Sequence, residues 1–301
     1  MRLFLNQINI WMNYSRIIAG TMKWGVWGAR FNKAAYERMI KDCIEAGATT
    51  FDHADIYGDY TTEAEFGQVL KDDPALRQKM QIITKCGIQK VSSTRPHHII
   101  KSYNTSYNHI IESVENSLEN LSTDYIDCLL IHRPDPLFNA DEVAKAFTQL
   151  KDQGKVLHFG VSNFKRWHVD LLNSRFKVEV NQVECSLLHL DPFLDGTLDY
   201  CQQHNITPMA WSPMGGGNIF LETDERNQRI TAVASFLADK YNSTADAVLL
   251  SWLLTHPANI HPVSGTSKPE RIKAAVTAAE IKLEREDWFM LWRASTGKEV
   301  A

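Results

Sequence analysis

Apolar residues in this chain recur with two alternating periods. Short β-rich runs lie at Arg16–Ala19, Thr49–Asp52, Gln81–Thr84, Ile126–Ile131, His158–Val161, Val178–Val183, Pro208–Trp211 and Ile260–Val263. Between them the period changes to that of a helix. Tyr36, Met39, Ile40, Cys43 and Ile44 share one helical face, and Ile110, Ile111, Val114, Leu118 and Leu121 form a second stripe. Asp141–Leu150, with Val143, Phe147 and Leu150 inward, and Ile230–Lys240 are further helical segments. Strands separated by helices predict parallel pairing through βαβ crossovers. With eight such runs the expected α/β fold is a (β/α)8 TIM barrel, in which chemistry sits at the C-terminal ends of the strands. A doubly wound open sheet would carry a GxGxxG phosphate loop just after a strand. The chain has none, and its glycine cluster at Gly215–Gly217 has the wrong spacing. No linker or repeat interrupts the pattern, so one barrel domain over residues 1–301 is expected.

Composition narrows the class. The 301 residues are 44% hydrophobic and 23% charged, enough to bury a large core without disulfides or metal. Thirty-two basic against 36 acidic residues give a formal net charge of −4, and there is no basic run. That balance argues against a nucleic-acid or anionic-membrane partner. The five cysteines (Cys43, Cys86, Cys128, Cys185, Cys201) are scattered without a CxxC pair, as in a reducing compartment. The start, MRLFLNQINIW, has polar breaks at Asn6, Gln7 and Asn9 and no cleavage signal, which favours a terminal strand or plug over a signal peptide. No apolar run approaches the ~20 residues of a membrane helix, so a cytoplasmic protein is expected.

The chemistry lies at the strand ends. The second run closes with FDHADIYG, offering Asp52, His53, Asp55 and Tyr57; the third closes with Lys85; the fourth with His132, Arg133 and Asp135. The fifth supplies Ser162 and Asn163, the sixth Asn181, Gln182 and Glu184, and the seventh Trp211 and Ser212. A lysine directly after Ile82-Ile83-Thr84 is costly to bury without a counter-ion, and Asp52 on the neighbouring strand is the natural one. An ammonium beside Tyr57 should pull the phenol pKa down from ~10. His132 opposite can donate to a carbonyl oxygen as charge develops there. Each of these residues alone has an ordinary structural use; their joint occurrence at three consecutive strand ends points to a proton-donating site. With no protein nucleophile, such a site needs an external reductant.

These residues carry the pattern of the aldo-keto reductase superfamily. The motifs are D-x-A-x-x-Y-G at Asp52–Gly58, T-K-C-G at Thr84–Gly87, L-L-I-H-R-P-D at Leu129–Asp135 and G-V-S-N-F at Gly160–Phe164. N-Q-V-E at Asn181–Glu184, A-W-S-P at Ala210–Pro213 and G-T-S-K-P-E-R at Gly265–Arg271 complete the series. In detail the chain resembles the bacterial YdhF-like oxidoreductase branch. The resemblance implies a TIM barrel that binds NADPH without a Rossmann motif. It implies that Asp52, Tyr57, Lys85 and His132 form the catalytic set, with Tyr57 the general acid. It further implies that Ser162, Asn163 and Gln182 hold the nicotinamide carboxamide and that Trp211 stacks on the ring. Ser212, Met214 and Gly216 would lie over the pyrophosphate, and Gly20, Thr21 and Met22 would approach the cofactor through backbone. Thr266, Ser267, Lys268 and Arg271 would meet the 2′-phosphate, although Gly265, Ala274 and Ala275 replace residues that other members use there.

The implied substrate is a small carbonyl compound, an aldehyde or ketone, and no oligomeric state is specified. Pocket walls are expected from Trp24 and Trp27, from Arg133–Asn139 with Leu137 and Phe138, and from Gly215–Phe220, giving a fairly apolar pocket. Trp288, Phe289 and Trp292 read as the packing face of an amphipathic tail helix. A nicotinamide-binding regulatory module with little turnover is the alternative, but it has no need of a Lys–Tyr pair. A metal-dependent hydrolase would need a third ligand beside His53 and Asp55. A Schiff-base aldolase would need Lys85 neutral, against the influence of Asp52.

Overall fold

The computed structural model describes residues 14–221 and 224–301, so the N-terminal segment read as a strand or plug lies outside the described residues. Eight described strands close into a parallel barrel in the order β1-β10-β9-β8-β7-β6-β3-β2. They are β1 (Ile18–Gly20), β2 (Thr50–Asp52), β3 (Gln81–Cys86), β6 (Ile126–Ile131), β7 (Val156–Ser162), β8 (Val180–Glu184), β9 (Thr207–Trp211) and β10 (His261–Ser264). All eight fall on the predicted runs, with ends displaced by at most two residues. The pattern did not predict the two-stranded antiparallel ribbon β4 (Ile88–Gln89) and β5 (Ser102–Tyr103), which pairs Ile88 with Tyr103. Strands of two residues are too short to show a period.

The helices are α1 (Lys33–Ala46), α2 (Thr62–Asp72), α3 (Tyr107–Leu121), α4 (Ala140–Asp152), α5 (Arg166–Asn173), α6 (Asp191–Leu194), α7 (Thr197–His204), α8 (Glu225–Lys240), α9 (Ala245–Leu254), α10 (Pro269–Thr277) and α11 (Arg285–Thr296). None of those described is long and apolar enough to cross a membrane. Helix α1 starts where Asn32 accepts from the Ala35 N–H (2.9 Å) and stops at Gly47, whose φ of 91° only glycine adopts cheaply. The predicted face, Tyr36, Met39, Ile40 and Cys43, is buried against β1, β2 and α2, while Ile44 is partly covered. Ile110, Val114, Leu118 and Leu121 of α3 are likewise buried, with Ile111 at the margin.

Two layers of apolar side chains follow from the strand period of two. Alternate residues point outward to the helices, as Leu129, Ile131, Phe159 and Val161 do. The others point into the barrel, where Ile18, Ile83, Cys128, Leu130, Val180, Met209 and Val263 pack together above Tyr14. All five cysteines are free and buried. The tail helix carries Trp288 and Trp292, which stack with Trp252 and surround Phe193 (centroids 4.9–6.4 Å), as the amphipathic reading expected, whereas Phe289, read with them, is exposed.

Gly160 shows why the strand-five motif begins with glycine. A Cβ there would lie 2.5 Å from the Val180 carbonyl oxygen and 2.7 Å from Leu130 Cδ2, inside the β7–β8 ladder. Backbone cannot yield as a flexible side chain can, so Gly160→Ala should lower the unfolding free energy by about 1–3 kcal/mol. Urea denaturation followed by circular dichroism checks this; an unchanged midpoint would show that the strands part without cost.

Candidate active site

Moving two residues along each strand from the inward apolar layer leads to the site. Ile83 is followed by Lys85, Leu130 by His132, Val180 by Gln182, Met209 by Trp211 and Ile18 by Gly20. Side chains two apart share a face, so these residues line the inside of the C-terminal mouth. Thr50 leads in the same way to Asp52, and Gly160 to Ser162.

Lys85 is the centre of the set, only 1% exposed. Its Nζ donates to Asp52 Oδ1 (2.7 Å) and Oδ2 (2.8 Å), to the His53 carbonyl (2.7 Å) and to Tyr57 Oη (3.3 Å). Burial pulls the ammonium pKa down, but Asp52 and Tyr57 together outweigh it and the net shift is upward. The lysine is therefore charged throughout the physiological range, which removes the Schiff-base reading. Gln182 reaches across the barrel from β8 and donates to Asp52 Oδ1 (2.7 Å). The expected Asp52–Lys85–Tyr57 cluster is thus assembled.

Tyr57 departs from expectation in its acidity. Burial raises the phenol pKa by more than Lys85, the largest opposing influence, lowers it, so the net shift is upward. The hydroxyl keeps its proton at neutral pH. Its oxygen accepts from Lys85, which leaves its O–H to donate toward the mouth. The His132 ring lies 6.1 Å from the Tyr57 ring, edge-on at 78°. Burial first, then Lys85, Arg133 and Lys101, press the His132 pKa well below its ordinary value, so the imidazole is neutral. Its buried Nδ1 has no partner. The single imidazole proton is better placed on Nε2, where it can be donated to a bound molecule.

The residues expected around a nicotinamide form one polar network. Trp211 Nε1 donates to Asn163 Oδ1 (3.1 Å), Asn163 Nδ2 to Ser162 Oγ (2.9 Å), and Ser162 Oγ to the Gln182 carbonyl (2.9 Å). Asn163 and Ser212 hold φ near +60° and +50°, so both strands end in tight left-handed turns. Beyond Ser212, Met214 is half-buried against the core, and Gly216 and Gly217 turn with φ of 68° and 101° beside open space. At the opposite side, Thr266, Ser267, Lys268 and Arg271 surround the start of α10. Lys268 and Arg271 are exposed, neither with an ion-pair partner within 4 Å among the described residues, and Gly265 borders open space. Ala275 is buried and Ala274 half-buried, so neither contributes a polar group.

Some expected residues have other employment. Gly20 packs so closely on β10 that a Cβ would stand 3.1 Å from Val263 Cγ1, and Thr21 is fully buried. The Thr21 N–H and hydroxyl both donate to the Asp52 carbonyl (3.0 Å each). These two residues brace Asp52; of the three expected cofactor contacts here, only Met22 is exposed. Trp24 is not a pocket wall: it is fully buried among Phe31, Tyr36, Phe51 and Phe66, and its Nε1 donates to the Thr266 carbonyl (3.0 Å). Trp27 does flank Tyr57, with ring centroids 6.2 Å apart. Phe138 packs on Phe164 and Leu137 is 88% exposed, so neither encloses a ligand. His53 bonds Thr21 Oγ1 (3.0 Å) and Asp55 accepts from its neighbour Ile56 N–H (2.7 Å). Among the described residues no three or more His, Cys, Asp or Glu side chains gather as metal ligands do. Sequence reading missed Glu63, a buried carboxyl bonded to Thr84 and Ser117 under the site; its one signal was its place on the buried side of a helix, three residues before Phe66.

The model of the aldo/keto reductase family matches residues 16–294. Oxidoreductase YdhF of Escherichia coli (strain K12) is 43% identical over 95% of this chain and 95% of its own. A 6-dehydroglucose reductase of Agrobacterium fabrum is also 43% identical, over 96% of this chain and 97% of its own. An aldo/keto reductase from Klebsiella pneumoniae, solved in complex with NADP and acetate, superposes with a TM-score of 0.76 at 24% identity, covering 92% of this chain and 90% of that one.

Three buried histidines make stability depend on pH. Burial lowers His53 to about 3 and His261 to about 4, and His132 is lowered too. Because the folded values lie below the unfolded value of about 6.5, the unfolded chain takes up protons first as pH falls. Their contribution is complete above pH ~6.5 and is lost toward pH ~4, at up to about 1.4 kcal/mol per pH unit for each. The urea midpoint should therefore fall between pH 7 and pH 5. His261→Asn, far from the mouth, should make that decline shallower; an unchanged slope would mean that His261 is not held neutral.

Proposed function

The chain belongs to the aldo/keto reductase family, and from that premise we propose that it reduces an aldehyde or ketone with NADPH, Tyr57 supplying the proton. The observation that carries this reading is the Lys85 ammonium, which touches both Asp52 and the Tyr57 hydroxyl beneath a neutral His132. The Tyr57 O–H and the His132 Nε2–H converge on a substrate oxygen from two sides. Both donate to it, and both gain strength as negative charge accumulates there. Tyr57 then gives up its proton, and the fixed Lys85 charge stabilises the phenolate left behind. NADPH, when bound, supplies the hydride to the carbonyl carbon.

The residues present fit that cofactor. Ser162, Asn163 and Gln182 present amide and hydroxyl groups suited to a carboxamide, and Trp211 offers a face for the nicotinamide ring. Ser212, Met214 and Gly216 border the open backbone turn in which a Cβ at Gly216 or Gly217 would meet nothing, room for a pyrophosphate. Thr266, Ser267, Lys268 and Arg271 gather donors and two exposed cations at the N-terminus of α10, a setting for the 2′-phosphate. Met22 lines the remaining rim, with Gly20 and Thr21 holding Asp52 in place. We assign the protein to the cytoplasm, where its five free thiols would stay reduced. A purely regulatory nicotinamide binder would draw no benefit from a buried, charged Lys85 on a protonated tyrosine.

Tyr57→Phe should leave NADPH affinity, read by fluorescence titration, within about twofold while aldehyde reduction falls by about 100-fold or more. Retained turnover would exclude Tyr57 as the acid. Arg271→Ala should raise the KM for NADPH about tenfold and leave that for NADH nearly unchanged, the loss of one charge-assisted phosphate contact. Equal effects on both cofactors would place the 2′-phosphate elsewhere.

A further inference from the structure

Tyr57 is followed by three residues with left-handed backbone: Gly58, Asp59 and Tyr60 have φ of 59°, 58° and 71°. Glycine takes that conformation freely and aspartate tolerates it, but a tyrosine there is an outlier that its surroundings must hold. Lys90, one residue past β4, does the holding. Its N–H donates to Tyr60 Oη (2.8 Å), which in turn donates to the Lys90 carbonyl (3.3 Å). Its ammonium pairs with Asp59 and lies 5.5 Å from the Trp27 ring centroid. The Thr94 hydroxyl donates to the Asp59 carbonyl (2.9 Å), and the Arg95 guanidinium lies 4.9 Å from the Tyr60 ring centroid. The segment that leaves β4 thus grips the turn by both of its side chains.

The turn held in this way carries Tyr57. The Thr61 and Thr62 N–H groups both donate to the Tyr57 carbonyl (3.2 and 3.3 Å), and the Tyr60 N–H donates to the Ile56 carbonyl (3.4 Å). The left-handed run therefore folds back on the backbone of Tyr57. Tyr60 and Trp27 also pack on the small cluster of Ala54, Ile56, Tyr57 and Ile88. Lys85 is fixed from the other side, by Asp52 and the His53 carbonyl at 2.7–2.8 Å, and the phenol has to be brought to it. At 3.3 Å that last bond is the longest of the four. A glycine would close the same turn without strain, so the strain points to the anchored side chain as what the turn requires. We propose that Tyr60 is a positioning residue for Tyr57: anchored on Lys90, it fixes the direction in which the Tyr57 hydroxyl meets Lys85 and the mouth. Tyr60 lies beyond the Asp52–Gly58 motif and acts only through Tyr57. The inference rests on the reading of Tyr57 as the proton donor.

Two variants separate the anchor from the turn. Tyr60→Phe keeps the ring and loses both bonds to Lys90; Tyr60→Gly keeps the turn, because glycine takes that φ freely, and loses the anchor altogether. With propanal as substrate, kcat should fall about tenfold or more in Tyr60→Gly and by a smaller factor in Tyr60→Phe. The KM for propanal and the affinity for NADPH should both stay within about twofold, since neither ligand loses a contact. Tyrosines labelled with carbon-13 at Cζ report the bond from Lys85 without turnover, the Tyr57 signal being identified by its loss in Tyr57→Phe. In the NADPH-loaded protein that signal should move in both Tyr60 variants. A kcat within about twofold of the wild-type value in both variants overturns the inference and leaves the reductase reading standing. So does a Tyr57 signal that stays in place, since a loss of activity would then act elsewhere. A signal that moves in a protein that reduces no aldehyde supports the inference and sinks the reductase reading alone.

Discussion

A charged lysine buried inside a barrel is the constraint around which the rest is arranged. Removing an ammonium from water costs several kcal/mol unless its partners are close and well oriented. Lys85 meets two carboxylate oxygens, a carbonyl and a phenol, all within 3.3 Å. Those partners come from β2, from the turn that follows it, and, through Gln182, from β8 on the far side of the barrel. The pair is complete only when the barrel is closed. Gly20 and Thr21 extend the same logic outward, since close packing on β10 and two bonds to the Asp52 carbonyl hold the carboxylate where Lys85 needs it.

Burial sets the protonation states at the mouth. It keeps the proton on Tyr57 and keeps it off the second site of His132, and in both cases it outweighs the influence of the neighbouring charges. The Lys85 charge alone would put the Tyr57 phenol below its ordinary pKa; desolvation, which a sequence does not display, reverses the sign. The outcome suits an acid better than the expectation did. A tyrosine that donates must first be protonated, and the nearby ammonium contributes chiefly after the proton has gone.

The barrel was legible because its strands are short, apolar and regularly spaced, and all eight fell where the period placed them. The catalytic-end residues were legible for a related reason: a polar residue two positions beyond a buried one must share its inward face. What a single strand cannot display stayed hidden. Trp24 and Trp27 look alike in sequence, yet Trp24 lies in a cage of rings under β1 while Trp27 faces Tyr57. Phe138 and Leu137 are neighbours, one on the core and one in water. The ribbon β4–β5 carries no periodic signal at all.

Isotope transfer tests most directly whether the Lys85–Asp52–Tyr57 cluster is a carbonyl-reducing site fed by a nicotinamide. The protein would be incubated with an aldehyde and NADPH deuterated at the transferable position of the nicotinamide, and the alcohol analysed by mass spectrometry. One deuterium on the carbinol carbon, with none from deuterated solvent at that position, is the predicted result. Cofactor binding without labelled alcohol from any of a panel of aldehydes, ketones and sugars would contradict it.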